Sequence, residues 1–516
     1  MSIRSKVLSN TFYLFANSMV VTVLSFVFWF IVGKTLQPSD TGIYSTSVNF
    51  SSLCATVCLI GLNVALSKII PEYIERKEAG KVIGLVRFSI KIVTVTSLLA
   101  AGVFILLSQQ IASILKIPTE AVLVAAALTV AVSIMQIFQS VLFGLQKMRK
   151  IFLSSFFGRL VEVVLSIILI LSGFSFFGPL VATLACFIII GMLMFDWKWI
   201  GSVPGYVKRK QVISEYAVPA FICAVLVIIL QNGTYILLTT IKDIQATGIF
   251  TIAMVISTPL TFIPTIFIDA IFPAISQLSA NRGLKINNES KIKQSTLIRI
   301  VFKYSLFISL PMAFFLIFFS NPIILLYSSS KYLPAASLLP LLAFGAILYN
   351  CSMSFSRSLY AIGKPKIRQN ITSLAVLVFF VLSLPLTYYF SAFGMSVAYA
   401  VSMMVLAVSG WFYLKKILRL NLEMPAVIKM IISSSLAFLV LSNISMLATS
   451  LPLIIATALI GGLMHALILI PLKFYSKEDF EVLEMVVKKV PIFRREFGRL
   501  FEVFLEFYFK LFPEKG

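Results

Sequence analysis

The chain contains little charge and almost no histidine. Aspartate, glutamate, lysine and arginine make up only 12% of its 516 residues, and the single histidine is His465. One histidine excludes a multi-histidine metal site, and a Ser-His-Asp triad has no plausible geometry for a histidine deep within an apolar stretch. His465 is therefore expected to be a packed or hydrogen-bonded helix residue.

Polar segments large enough to form an extramembrane domain are also lacking. A membrane glycosyltransferase normally needs such a domain or an acidic metal-binding motif, and the sequence shows neither. The five cysteines all lie inside apolar stretches, which argues against a disulfide framework; they are Cys54, Cys58, Cys186, Cys223 and Cys351. An enzyme is therefore not expected.

What the chain has in abundance is apolar sequence. It is 59% hydrophobic with a mean hydropathy of +1.00. A helix needs about 20 apolar residues to cross a bilayer, and backbone groups in lipid must bond internally. The sequence therefore predicts an all-α polytopic membrane protein with fourteen spans, at 10–32, 42–69, 86–114, 119–144, 152–173, 176–199, 216–240, 246–272, 299–320, 334–361, 368–390, 392–414, 425–447 and 452–473.

Basic residues alternate between the two sides of the predicted membrane. The amino terminus and the loops after even-numbered spans carry most of the lysine and arginine between spans, whereas the opposite side has only Lys34, Lys116, Lys242 and Lys331. The positive-inside rule then places both termini in the cytoplasm of a cell-membrane protein. The net charge of +23 is largely a topology signal, so no nucleic-acid partner is expected.

Three short segments recur in the same order. Phe138–Arg149 matches Phe355–Lys366, Phe174–Gly178 matches Phe390–Gly394, and Thr41–Tyr44 matches Thr247–Phe250. Chance recurrence of glycine and small residues is the alternative to an internal repeat. As a repeat, spans 1–6 pair with spans 7–12 in parallel orientation, an arrangement that typically encloses a site near the membrane midplane.

This repeat sets the predicted domain organisation. It consists of an N-lobe at 1–199, a cytoplasmic linker at 200–215, a C-lobe at 216–418, two added spans at 419–474 and a cytoplasmic amphipathic tail at 475–516. The apolar face of the tail is typical of a helix lying in the membrane interface, with a docking helix for another protein as the alternative.

Ionisable residues inside the spans are candidates for the functional site because their insertion costs about 2.5–3.5 kcal/mol. The candidate substrate-binding cations are Lys68, Lys91, Arg159, Lys303 and Arg357, and the candidate coupling acids are Glu162 and Asp269. Snorkelling to the headgroups is the alternative for each cation. Arg159 and Glu162, spaced i,i+3, could also neutralise each other.

Span 2 carries a polar stripe. Ser45, Asn49, Ser52, Thr56, Asn63 and Ser67 fall on one helical face. Such a face is poorly placed against lipid, so it lines either a polar cavity, which we favour, or a helix interface. Asn17 in span 1 and Gln231 and Asn232 in span 7 are further cavity candidates.

These features resemble one transporter family. The two six-helix halves, the Thr41–Tyr44 turn, the cytoplasmic turns Leu145–Lys147 and Ile362–Lys364, and the two added spans are similar to the polysaccharide-transport branch, including O-antigen flippases, of the multidrug/oligosaccharidyl-lipid/polysaccharide (MOP) exporter superfamily. The resemblance covers nearly the whole chain. It implies two MATE-like lobes around a central cavity and alternating access.

The resemblance also implies a substrate and partners. The substrate is a lipid-linked oligosaccharide on a polyprenyl-phosphate-type carrier, moved from the cytoplasmic to the outer leaflet. No cofactor is expected, and transport is coupled to the membrane potential, Na⁺ or H⁺. Membrane lipids and other polysaccharide-assembly proteins are the expected partners, and by analogy with lipid II flippases spans 13–14 hold the lipid tail.

The residues agree with such a substrate, because a sugar head bearing phosphate needs cations and amides or hydroxyls within the membrane. Two alternatives remain open. A cation-coupled multidrug antiporter of the same superfamily usually has twelve helices and acids in its cavity, and span 1 has no acid. A non-transporting membrane scaffold is disfavoured by the repeat and the polar stripe.

Overall fold

The protein is helical throughout the part that the structure describes. This computed structural model describes residues 3–201, 203–207, 209–280, 288–444 and 450–475, and no strand occurs among them. The predicted all-α fold is confirmed. The amphipathic tail predicted beyond Tyr475 lies outside the described residues, as does part of the linker.

The helix bounds follow most of the predicted spans. In chain order the α-helices are α1 Ile3–Thr35, α2 Pro38–Cys58, α3 Leu62–Glu75, α4 Ala79–Leu106, α5 Ser108–Leu115, α6 Thr119–Gly144, α7 Met148–Leu171, α8 Phe177–Met194, α9 Lys198–Gly201, α10 Arg209–Gln211, α11 Val218–Ile241, α12 Ile244–Ala280, α13 Asn288–Phe318, α14 Ser320–Tyr327, α15 Leu339–Ala361, α16 Pro365–Leu418, α17 Met424–Ile444 and α18 Leu451–Ile468. A π-helix, Val212–Ala217, precedes α11, and a 3₁₀ helix, Ser330–Ser337, precedes α15. However, α4 and α13 begin before the predicted starts at 86 and 299, and the predicted span 86–114 also includes α5.

Each predicted span has a helical counterpart. Within the described residues twelve helices are individually long and apolar enough to cross a membrane, and the bent pair α2–α3 makes a thirteenth. Helix α16, with 54 residues, covers two predicted spans. At 1.5 Å per residue it would be about 81 Å long if straight, far more than one crossing of roughly 30 Å.

A sharp turn divides α16 into two crossings. Ser391 has φ +54° and ψ −135°, which no helix accommodates. A Cβ on Gly394 would lie so close to the carbonyl of Leu386 that it would overlap it, which shows that the chain folds back on itself here. The predicted boundary between spans at residue 391 is therefore correct, although the helix assignment runs through it.

Packing divides the chain into two compact units, each built from several stretches. Unit one comprises Met1–Val255, Tyr327–Leu338 and Val376–Tyr399; unit two comprises Ile256–Leu326, Leu339–Ala375 and Ala400–Gly516. These units do not follow the predicted lobe boundaries at 199 and 418, and the lobes stay a prediction. Unit one nevertheless contains stretches from both halves of the predicted repeat.

Unit one is built around α6, which packs against α2, α3, α4 and α8, while α7 packs between α1 and α8. Leu66, Leu85 and Val141 are completely buried at the junction of α3, α4 and α6. Since lipid is as apolar as leucine, the association of these helices depends on close packing and on interhelical hydrogen bonds.

Unit two contains the added helices. Helix α17 packs on α13, and α18 packs on both α17 and α13. His465 of α18 is buried, with its Nδ1 2.8 Å from the Ser433 hydroxyl and 2.9 Å from the Ser434 hydroxyl of α17. The expectation of a hydrogen-bonded helix residue is confirmed, and it joins the two added helices.

Candidate transport site

Span 2 is broken in its middle. Helices α2 and α3 meet at 50°, and between them Ile60 and Gly61 have φ of +51° and +75°. A Cβ on Gly61 would lie 2.8 Å from the Phe221 amide nitrogen and 2.9 Å from the Ala217 carbonyl carbon, at the junction of the π-helix and α11. Broken helices in membranes commonly form transport sites, because irregular backbone is tolerated where it is buried in protein or lines a cavity.

Two predicted cavity residues carry polar atoms without a partner. The side-chain oxygens of Asn63, which follows the break, and of Asn17 on α1 are both buried, and neither accepts a hydrogen bond from any described residue. Both side chains are otherwise half-buried. An unsatisfied buried acceptor is uncommon and calls for a donor from outside the chain, such as water or a ligand hydroxyl.

The rest of the span 2 stripe is largely satisfied by its own helix. Asn49 donates to the Ser45 carbonyl at 2.8 Å and Thr56 donates to the Ser52 carbonyl at 2.9 Å. Asn232 of α11 donates to the Asn49 carbonyl at 3.4 Å, so the stripe faces α11 at this level. Gln231 beside it is exposed. The stripe therefore combines the two expected roles, a helix interface at Asn49 and an unpaired amide at Asn63.

The cations of unit one fall into two classes. Arg159 donates to Glu162 at 2.6 Å, and Glu162 also accepts a hydrogen bond from Thr183 at 2.9 Å. Glu162 is buried and Arg159 is half-buried, and their pairing makes Glu162 an ion-pair partner, as the i,i+3 spacing suggested. Lys68 and Lys91 are exposed and have no acidic partner among the described residues; the Lys68 ammonium lies 4.6 Å from the Tyr216 ring.

The candidate ionisable residues of unit two are placed differently. Lys303 is only 3% exposed and lies 3.4 Å from a carboxylate oxygen of Glu423, and it donates to the Phe474 carbonyl at 3.2 Å. It therefore connects α13 to the segment after α18. Arg357 is half-buried on α15. Asp269 belongs to α12, but its side chain lies outside the described residues.

A contact between the two halves of the repeat was not predicted. Within unit one, Gly42 of α2 lies against Ile244, and Gly248 of α12 lies against Pro38. Gly248 lies 206 positions after Gly42, and Ile244 lies 206 positions after Pro38. The two Thr-Gly-Ile segments have the same spacing. The contact is therefore reciprocal, as a pseudo-twofold axis requires.

Hydroxyl groups surround this glycine contact. Thr46 hydrogen-bonds to Thr239 at 2.7 Å, and Thr239 to Thr247 at 2.8 Å. Thr41 is 2.6 Å from the Tyr332 hydroxyl. The two Thr-Gly-Ile segments marked this contact in the sequence as members of a repeat, but a repeat alone does not show that its copies touch.

Two lysines make further contacts between the two halves of the repeat. Lys34 donates to the Ser328 carbonyl at 2.8 Å, and Lys116 donates to the Lys242 carbonyl at 2.6 Å. Both are among the few basic residues expected on the outer side. We call the paired glycines, these hydroxyl groups and these two lysine contacts the outer closure. It joins both halves of the repeat within unit one.

Comparisons with known proteins agree with this architecture. A family model for polysaccharide biosynthesis proteins matches residues 7–279. A solved lipid II flippase, MurJ, in an inward closed conformation is 15% identical, with a TM-score of 0.67 over 89% of this chain and 97% of that one. No curated protein sequence matches the chain.

Multidrug transporters share the fold as well. An inward-facing transporter of the MATE family and MOP superfamily is 16% identical, with a TM-score of 0.60 over 77% of this chain and 94% of that one. An outward-facing structure of a MATE family transporter is also 16% identical, with a TM-score of 0.54 over 78% and 93%. The MATE-like fold expected from the sequence is thereby confirmed.

Proposed function

Because the chain belongs to the polysaccharide biosynthesis protein family, we propose that it is a flippase for a lipid-linked oligosaccharide. It moves the glycan head, on a polyprenyl-phosphate-type carrier, from the cytoplasmic to the outer leaflet by alternating access. Both termini lie in the cytoplasm, as the distribution of basic residues indicates. The similar structure named a lipid II flippase supports this substrate class.

The observation that carries the proposal is the pair of unsatisfied amide oxygens at Asn17 and Asn63. An amide oxygen accepts hydrogen bonds, and sugar hydroxyls donate them. Lys68, five residues after Asn63 on α3, supplies positive charge with no acidic partner among the described residues. Together they provide what a phosphate-bearing sugar needs inside a membrane, a cation and hydrogen-bonding groups.

The membrane potential supplies a driving force for such a substrate. With an interior-negative potential, outward movement of an uncompensated anion is favourable by about 2.3 kcal/mol per charge per 100 mV. In this proposal the cations capture the substrate on the cytoplasmic side. If transport is coupled to Na⁺ or H⁺, the flipping rate should also depend on the concentration gradient of that ion at constant membrane potential.

The test is a flipping assay with purified protein in liposomes. A fluorescent lipid-linked oligosaccharide is placed in both leaflets, and its exposure to an external glycosidase is followed with time. Asn63→Leu should slow flipping about 5- to 150-fold, because one lost hydrogen bond to a buried acceptor costs about 1–3 kcal/mol. Asn443→Leu is the control, since Asn443 is exposed on α17 and donates to its own helix.

Three results would contradict the proposal. Equal flipping by Asn63→Leu and the wild type would remove the amide from the site. Transport of a cationic drug, with no flipping of the lipid, would favour the multidrug antiporter. Absence of any transport by folded protein would favour the scaffold.

A further inference from the structure

Unit one has an apolar groove at its surface, which we call groove N. It has a volume of about 700 Å³ and lies between α6 and the stretch from α8 to Trp197. The α6 wall consists of Ala127, Val130, Ala131, Ile134 and Phe138. A cavity of this size is in the range that holds a ligand.

Unit two has a second apolar groove, groove C, with a volume of about 460 Å³. Its α15 wall consists of Phe344, Ile347, Leu348, Cys351 and Phe355. Each of these five residues lies 217 positions after one of the five α6 residues. The same offset relates the Phe138–Arg149 segment to Phe355–Lys366.

The second walls of the two grooves correspond as well. Groove C is lined by three residues of α16, and each lies 216 positions after a residue that lines groove N; the pairs are Gly191 with Ala407, Met192 with Val408, and Phe195 with Trp411. An offset of 216 also relates the Phe174–Gly178 turn to Phe390–Gly394. The grooves are therefore equivalent features of the repeat.

The grooves differ in what lies over them. Groove C is also lined by six residues of α13, from Phe302 to Ile317, and by Val427 and Ile431 of α17, whereas no third long helix lines groove N within the described residues. Even with α17 in place, groove C keeps its space. A helix with side chains is about 10–12 Å across, so the remaining space suits a narrower occupant, a hydrocarbon chain.

A lysine lies at the same end of each groove. At groove N, Lys150 donates to the Phe195 carbonyl at 2.8 Å, and two of the three ammonium hydrogens remain for another acceptor. At groove C, the Lys415 ammonium lies 5.2 Å from the ring of Trp411, the counterpart of Phe195. Lys150 and Lys415 do not occupy equivalent positions of the repeat. Each half nevertheless has a positive charge at this end of its groove.

Aromatic residues and charge indicate a lipid headgroup at this end. Trp197 lines groove N and is 78% exposed, and tryptophan is enriched at the membrane interface. Asp196 forms an ion pair with Lys147 at 3.5 Å and is also within electrostatic range of Lys150. An ammonium beside an apolar groove at the interface is complementary to a phosphate with an attached acyl chain.

We propose that groove N and groove C each hold an acyl chain of an anionic phospholipid of the cytoplasmic leaflet, with its phosphate at Lys150 and Lys415 respectively. These are resident lipids, bound on the outer surface of each unit. The proposal does not depend on the transported substrate.

Native mass spectrometry of the purified, delipidated protein tests the proposal. Dioleoyl phosphatidylglycerol is added back, with dioleoyl phosphatidylcholine as the comparison of equal chain length. The wild type should retain up to two phosphatidylglycerol molecules. Ala131→Trp and Leu348→Trp fill equivalent positions of the two grooves; each should remove one bound lipid, and together they should remove both.

Substitution of the lysines tests the headgroup contact without filling the groove. Lys150→Gln and Lys415→Gln should each weaken one phosphatidylglycerol site about tenfold, the size of a charge-assisted hydrogen bond, and leave phosphatidylcholine unchanged. Leu99→Trp is the matched control for the two tryptophan substitutions, because Leu99 is 66% exposed and lies outside both grooves. Thermal unfolding of every variant checks that it is folded.

Three outcomes would overturn the proposal. The first is unchanged phosphatidylglycerol retention in the folded tryptophan variants. The second is equal retention of the two lipids by the wild type. The third is a dimer or a bound protein partner that Ala131→Trp dissociates, which would show that groove N receives a helix.

Discussion

The outer closure provides the sharpest prediction, because a single methyl group should disrupt it. A Cβ built on Gly42 would lie 2.8 Å from the carbonyl carbon of Ile244 and 2.7 Å from its Cγ2. Carbon atoms in favourable contact are about 3.5–4.0 Å apart. Gly42→Ala therefore requires α2 and the start of α12 to separate by about 1 Å.

A separation of that size also affects the hydroxyl groups nearby. The Thr46–Thr239 hydrogen bond of 2.7 Å would lengthen beyond useful geometry. Overpacking of this kind costs about 1–3 kcal/mol. If the closure opens and closes during transport, the ratio of closed to open protein should fall by a factor of about 5–150.

Thiol labelling measures this change. Ser45 is 1% exposed beside the closure, and Ser45→Cys in a background without the five native cysteines reports on opening. The protein is labelled in nanodiscs, which leave both membrane faces accessible to an impermeant reagent. Gly42→Ala and Gly248→Ala should each accelerate labelling, since the contact is reciprocal.

The control is Gly102→Ala, because a Cβ at Gly102 meets nothing within 4 Å. It should label at the wild-type rate. Wild-type labelling rates in both folded closure variants would refute the reasoning, as would acceleration by the control. A closure that tolerates the added methyl group would not be tightly packed.

Three further predictions concern other parts of the chain. Glu162→Gln should reduce the free energy of unfolding by about 1.5–3 kcal/mol, because the half-buried Arg159 loses its charged hydrogen-bond partner. The double change Arg159→Met with Glu162→Leu should lose less stability. Thermal melting of both variants distinguishes this role from that of an acid needed only for coupling. Gly61→Ala should destabilise the protein more than Gly102→Ala in the same assay, because φ is +75° and Ala217 leaves no room for a Cβ. Single cysteines on the predicted cytoplasmic side, at Lys147, Arg282 or Lys364, should resist an impermeant thiol reagent in intact cells. Single cysteines on the predicted outer side, at Gln37 or Lys331, should react with it. The reverse labelling pattern would show that the topology is inverted.

Some features of the site were predictable from local sequence. The i,i+3 spacing placed Arg159 within reach of Glu162, and the structure confirms the ion pair. The same spacing could not show that Thr183, on the next span, would donate to that carboxylate. A pair within one helix follows from helical geometry, whereas a partner on another helix depends on how the helices pack.

The broken span shows the same division. Hydropathy predicted a single span at 42–69, because both of its halves are apolar. The break at Gly61 depends on the approach of Ala217 and Phe221, which lie more than 150 positions away. The stripe was likewise correctly predicted as one helical face. Only the packing of α11 shows that the Asn49 carbonyl accepts a hydrogen bond from Asn232, whereas the Asn63 side-chain oxygen has no donor among the described residues.

The sequence by itself determined the membrane spans, the family resemblance and the offsets of the repeat. Each is a property of a short stretch or of two stretches compared, since transfer into lipid depends on about 20 consecutive residues. Only the tertiary structure decided that Gly42 and Gly248 meet and that α17 lines groove C while no third long helix among the described residues lines groove N. Those contacts join residues that are distant in the chain. Apolar side chains can pack against lipid as well as against each other, so hydropathy carries no information about which helices pack together.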